Sequence, residues 1–161
     1  MNSIIIFLTF YSLIIISILG YGTFISTIFK IDTIKKNVGY LGLTGILFIS
    51  LISYYSHFLF PHSKIFNSII FFFGIGFFLI SLFSKKFFSK IDLKLLLLVF
   101  SILILGIVLF KPHDDFGYYH FPYTYYLTQK ELILGIGNLN HGFRTPSSIF
   151  YLNSMFYLPL I

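Results

Sequence analysis

Two adjacent carboxylates, Asp114 and Asp115, follow directly on a long apolar stretch, with His113 before them and His120 a few residues on. Such a pair at a membrane surface can do three things. One carboxylate can act as general base toward an acceptor hydroxyl, if burial and its neighbour's charge raise its pKa toward neutrality. Both can bind a divalent cation together with a phosphate ligand. Or Asp simply caps the segment that follows, since negative charge suits a helix start. Asp32 and Asp92 sit among lysines, where a solvated balance of charge accounts for them.

The surrounding residues extend the same choice. His113, His120 and His141 could join the aspartates in a site of imidazole and carboxylate ligands. There is no helical pair of histidines four apart and no HExxH, so zinc is poorly supported. His57 and His62, near the second apolar segment, read as incidental. Tyr118, Tyr119, Phe121, Tyr123, Tyr125 and Tyr126 form an aromatic stretch. It reads as a helix along the membrane face, or as a wall for a sugar or lipid-phosphate ligand. Pro122 is tolerable in that helix's first turn. Gly135 to Asn138 and Asn140 to Gly142 read as turns. Arg144, the only arginine in the chain, could grip phosphate with both arms of its guanidinium or anchor a helix end at the interface.

What positions these residues is a membrane. Of 161 residues, 57% are hydrophobic and only 10% charged, against about 25% charged in soluble domains. Mean hydropathy is +0.93. The net charge of +6 comes from lysines clustered between apolar blocks, which fits membrane orientation rather than nucleic acid. A hydrocarbon core of about 30 Å needs roughly 20 apolar residues as helix. Ser3 to Phe29, Val38 to Phe60 and Phe66 to Ser84 qualify, and Leu95 to Phe110 is a shorter fourth run flanked by Lys94 and Lys111. A last run, Ser147 to Ile161, begins a further span. The expected fold is therefore all-α and multi-pass, about four complete spans plus the start of a fifth, with one extracytoplasmic loop containing an interfacial helix.

Lysines supply the orientation. Lys30, Lys35 and Lys36 follow the first span, and Lys85, Lys86, Lys90 and Lys94 the third. The positive-inside rule makes both loops cytoplasmic. Residues 1–110 are then transmembrane helices with lysine-rich cytoplasmic loops. Residues 111–146 are an extracytoplasmic loop with the paired aspartates, and residues 147–161 open the next span. The expected location is the inner cell membrane. Absence of cysteine excludes disulfides and thiolate metal sites.

The order of apolar span, Asp114-Asp115, Tyr118-Tyr119-His120, helix and Gly-Asn turn into another span resembles the first large extracytoplasmic loop of GT-C class membrane glycosyltransferases. The likeness covers Lys111 to Pro159, through HDDFGYYHFPYTYYL and GIGNLNHGFRTPSSIFYLNS. It implies transfer of a sugar from a polyprenyl-phosphate carrier to a lipid, glycan or protein acceptor. Asp114 or Asp115 would be the catalytic base, with the other as its partner. His113, Tyr119, His120 and Arg144 are the candidate substrate contacts. No cofactor is certain, and the acidic pair leaves room for a divalent cation, magnesium or manganese. The expected partners are membrane lipids and the polyprenyl-phosphate-linked sugar, with no nucleic acid. Members of the class usually carry the acidic loop after their first span and have many more helices, so the chain reads as an N-terminal fragment of a longer one. The competing reading is a non-catalytic membrane protein: a flippase, a transporter subunit or an assembly scaffold.

Overall fold

The computed structural model describes residues 2–31, 37–84, 90–109, 113–144 and 147–158. Asp32, Lys35, Lys36, Lys85, Lys86 and Lys111 lie outside them, as do Pro146 and the run from Pro159 to Ile161. Every regular element among the described residues is helical.

Among the described residues, three helices are long and apolar enough to cross a membrane: α1 (Asn2–Ile28), α2 (Val38–His57) and α3 (Lys64–Phe83). At 1.5 Å per residue, the 20 residues of α2 or α3 reach about 30 Å, the thickness of the hydrocarbon core. A fourth apolar helix, α4 (Lys90–Leu109), has its described apolar run over Lys94–Ile107. Asn37 caps α2 by accepting from the Gly39 and Tyr40 amides, and Ser63 caps α3 by accepting from Phe66. At the other end of α1, Lys30 adopts φ 53°, and the Ile31 amide reaches back to the Ser26 carbonyl. This is the left-handed stop usually made by glycine, here made by lysine at some cost in strain.

Helix α1 packs against both α2 and α3 through small residues. A β-carbon on Gly20 would collide with the Gly74 carbonyl, and one on Gly45 with the Ile18 carbonyl. Such close approach is how apolar helices associate in lipid, where burial against a neighbour gains nothing over burial against an acyl chain. Hydrogen bonds between helices add to it. The Ser17 hydroxyl donates to the Phe71 carbonyl, Tyr21 to Ile70, and Ser81 to the Thr23 hydroxyl at 2.7 Å. Outward faces carry large apolar side chains such as Leu43, Phe72 and Ile80. Helix α4 lies more loosely, with Phe100 against Tyr11 and Leu96 against the cluster of Leu19, Leu41 and Phe78.

The remaining elements form a lobe at one end of the bundle. It consists of a 3₁₀ turn (Asp114–Phe116), α5 (His120–Gln129), two further 3₁₀ turns (Ile136–Asn138 and His141–Phe143) and α6 (Ser148–Met155). Its own core is Tyr123, Leu127, Phe150 and Tyr151. The lobe sits on the turn between α2 and α3, where the His62 amide donates to the Leu127 carbonyl at 3.0 Å. The apolar run that sequence reads as opening a span is in the structure a two-turn helix. It ends at Met155, where the Phe156 and Tyr157 amides turn back to Asn153 and Ser154 and buried Asn67 of α3 donates to the Ser154 and Tyr157 carbonyls.

Candidate functional site

The paired aspartates open the lobe in a 3₁₀ turn held by local bonds. His113 is extended and caps the turn, its Nδ1 accepting from the Asp115 amide at 3.2 Å. The Asp115 carbonyl then accepts from the Tyr118 and Tyr119 amides, leading the chain into α5. Asp115 Oδ2 also lies 3.5 Å from His113 Nδ1. The two uses of Nδ1 exclude each other. A neutral ring accepts from the amide through that nitrogen's lone pair, whereas only a protonated Nδ1 could donate to the carboxylate. Capping, one of the roles open from sequence, thus falls to His113 rather than to an aspartate. Asp114 is exposed and Asp115 partly covered.

His120, the first residue of α5, gathers the neighbouring rings. It stacks on His113 at 5.9 Å, meets Tyr119 edge-on at 4.4 Å and lies 5.2 Å from Phe150 of α6. Gly142 presses on the other side of Tyr119, since a β-carbon there would overlap that ring. Between the aspartate turn, α5 and α6 runs a cleft of about 560 Å³, lined by Phe116, Tyr119, His120, Phe121, Thr124, Ser147, Ile149, Phe150 and Asn153. Aromatic faces dominate, and Thr124, Ser147 and Asn153 supply hydrogen-bonding groups. Mostly apolar walls with a few placed polar groups are the common make-up of small-molecule sites.

The structure therefore brings together His113, Asp115 and His120 and places Tyr119 and His120 on the cleft wall. Phe116, directly after the aspartates, lines the cleft as well. Arg144 is elsewhere. It is exposed, folds over Gly137 and donates from Nε to the Gly137 carbonyl at 3.2 Å, so it ties the two later 3₁₀ turns together. Among the described residues no three His, Asp or Glu side chains converge as metal ligands would.

A second polar constellation escapes the sequence reading. His57 and His62, incidental by sequence, are both fully buried. His62 Nδ1 lies 2.6 Å from the Ser154 hydroxyl, and its Nε2 lies 3.0 Å from both the Ser53 carbonyl and the Ser56 hydroxyl. His57 Nε2 lies 3.0 Å from the Lys130 carbonyl. Burial, reinforced by the nearby His57, lowers the His62 pKa to about 4, so the ring is neutral at physiological pH. Burial likewise pushes the Tyr123 hydroxyl above the usual tyrosine range, with Tyr151 adding to it. A signal for this cluster does exist in sequence: Ser53, Ser56 and His57 fall on one face at the end of an apolar helix, where polar side chains are costly and mark function or packing.

A protein-family model, described as a domain of unknown function (DUF8201), matches residues 4–161, and the chain belongs to that family. No curated protein and no solved structure matches it.

Proposed function

We propose that this member of the family carries the acidic loop of a membrane glycosyltransferase of the GT-C kind. In this reading four spans lie in the inner cell membrane. The lysine-rich loops face the cytoplasm and the lobe faces outward. A sugar passes from a polyprenyl-phosphate carrier to a lipid, glycan or protein acceptor.

One observation carries the reading: the aspartate turn abuts an aromatic cleft with polar walls, on a lobe seated where the spans end. A lipid-linked sugar needs that arrangement, its prenyl chain among the spans and its sugar at the interface. Aromatic faces suit a sugar ring, and Thr124, Ser147 and Asn153 suit its hydroxyls. In the single displacement, Asp114 or Asp115 takes the proton of the acceptor hydroxyl as that oxygen bonds the anomeric carbon. The bond from the anomeric carbon to the carrier phosphate breaks, and the phosphate leaves with the electron pair. His113 and His120 flank the base and hold its turn against the cleft. Arg144 stands off the cleft with its Nε on the Gly137 carbonyl, and is the weaker candidate contact for a carrier phosphate. No step is assigned to a metal ion.

Labelled polyprenyl-phosphate sugar, supplied to proteoliposomes holding the protein, tests the reading. Label reaching an acceptor, dependent on the protein, supports it. Tight association with membrane components and no transfer from any prenyl-linked sugar favours a scaffold instead.

A further inference from the structure

The lobe is fastened to the spans by buried hydrogen bonds that converge on one imidazole. His62, in the turn between α2 and α3, contributes its amide to Leu127 of α5 and its ring to Ser154 of α6, Ser56 and the Ser53 carbonyl of α2. Ser154 in turn donates to the Tyr151 carbonyl at 2.7 Å. With that hydroxyl hydrogen committed, a neutral His62, which has one N–H, can donate to only one of its two acceptors, Ser154 at Nδ1 or the Ser53 carbonyl at Nε2. One ring thus joins α2 to α6 across a separation of 92 residues.

A second proton changes the balance. Both ring nitrogens would then donate, and the Ser154 hydroxyl and Ser53 carbonyl could accept, so hydrogen bonding alone permits the imidazolium. Charge does not. The titratable groups facing the ring are His57 of α2 at 5.2 Å and Tyr151 of α6 at 6.5 Å between ring centres. Tyr54 of α2 stacks behind Tyr151, and Tyr123 of α5 packs edge-on to it. Helix α3 presents Phe66 and Asn67, neither of them charged. Lys64 and Lys130 are exposed, and the acidic residues Asp114 and Glu131 are exposed as well. A buried cation without a counter-ion costs more than the gain from one charge-assisted hydrogen bond. Water must reach it, and the contact that can open is the one to the lobe.

We propose that His62 is a proton-operated latch: neutral, it locks α5 and α6 onto the ends of α2 and α3, and protonated, it lets the lobe lift and the cleft wall formed by α6 move. The latch holds whichever chemistry the cleft performs, so it stands or falls separately from glycosyl transfer.

The chain has no cysteine, so spin labels can be placed singly. Tyr55→Cys on α2 and Ser148→Cys on α6 are exposed positions on either side of the latch. Electron–electron distance measurements on the full chain in nanodiscs, from neutral pH down to about pH 3.5, follow the opening. The expected result is one narrow distribution at neutral pH and a longer, broader one in acid. Its midpoint should coincide with the titration of His62 itself, followed by C2-proton exchange in the same protein. His62→Gln, which cannot take the proton, should abolish the acid transition. An unchanged distribution across the range, a midpoint apart from the His62 titration, or the same transition in H62Q would each overturn the latch. The coincidence of midpoints needs no variant, so the test survives if H62Q does not fold.

Discussion

Gly20 of α1 and Gly74 of α3 touch backbone to backbone, and a β-carbon on either would enter the other helix. Gly76, on the same helix as Gly74, has open space where its β-carbon would be. The two α3 glycines, equivalent by composition, therefore have opposite tolerances. Gly74→Val should destabilise the bundle by about 3 kcal/mol, because its β-carbon would overlap both the Ser17 hydroxyl and the Ser17 carbonyl, and the carbonyl cannot swing aside. Gly76→Ala should stay within about 0.5 kcal/mol. Thermal melts of the detergent-solubilised variants decide it; equal melting temperatures for the two would refute the packing described.

Asn67 caps the end of α6 from across the fold. Its amide nitrogen reaches the Ser154 carbonyl at 2.8 Å and the Tyr157 carbonyl at 3.0 Å, and its side chain is fully buried. Asn67→Ala removes a buried side-chain donor from the Ser154 and Tyr157 carbonyls, the first of which keeps the Tyr157 amide, a loss of about 2 kcal/mol. Asn67→Asp should be at least as damaging, since it turns the donor into a third acceptor. Chemical unfolding of the three proteins measures the difference, and a wild-type midpoint for either variant would show that the cap does not matter.

Stability should also depend on pH through His62. Its folded pKa is about 4 against 6.5 for the free side chain. Between those values the unfolded chain binds more protons, so stability rises with pH from about 4 to about 6.5 and is level above. Acidification through that window should cost about 3 kcal/mol at one histidine. His62→Gln should flatten that part of the profile. A variant with the same slope as the wild type would place the titrating group elsewhere.

The spans and the helix after the aspartates are legible in sequence for different reasons. Unbroken apolar runs near 20 residues have few readings, so α1, α2 and α3 emerge with ends close to those observed. Pro122 and the tyrosines after it are compatible with one helical turn after another, and α5 occupies that stretch. The end of α6 is different. Ser147 to Ile161 reads as apolar enough to continue as helix, yet α6 ends at Met155, where Asn67, 87 residues away from Ser154, donates to the carbonyls at its end and Pro159 follows four residues on. His62 and Arg144 were hidden by the same limit. A histidine's partners 92 residues off leave no local pattern, and nothing near Arg144 distinguishes a phosphate contact from a bond to Gly137.

Orientation yields to chemical labelling. A lone cysteine at Tyr118, exposed on the lobe, should react with a membrane-impermeant maleimide in intact cells. One at Ile31, just past α1, should react only after permeabilisation. The reverse pattern would put the acidic turn in the cytoplasm and remove extracytoplasmic transfer from consideration.

The most direct test concerns the carboxylates themselves. Asp114→Asn and Asp115→Asn each keep the size of the side chain and remove its capacity to take a proton, and Asp114 is exposed, so folding should survive. Transfer from a labelled polyprenyl-phosphate sugar should fall by about 100-fold or more in at least one of them, the usual loss for a general base, with expression unchanged. Wild-type rates in both would contradict the assignment of this turn as the catalytic base.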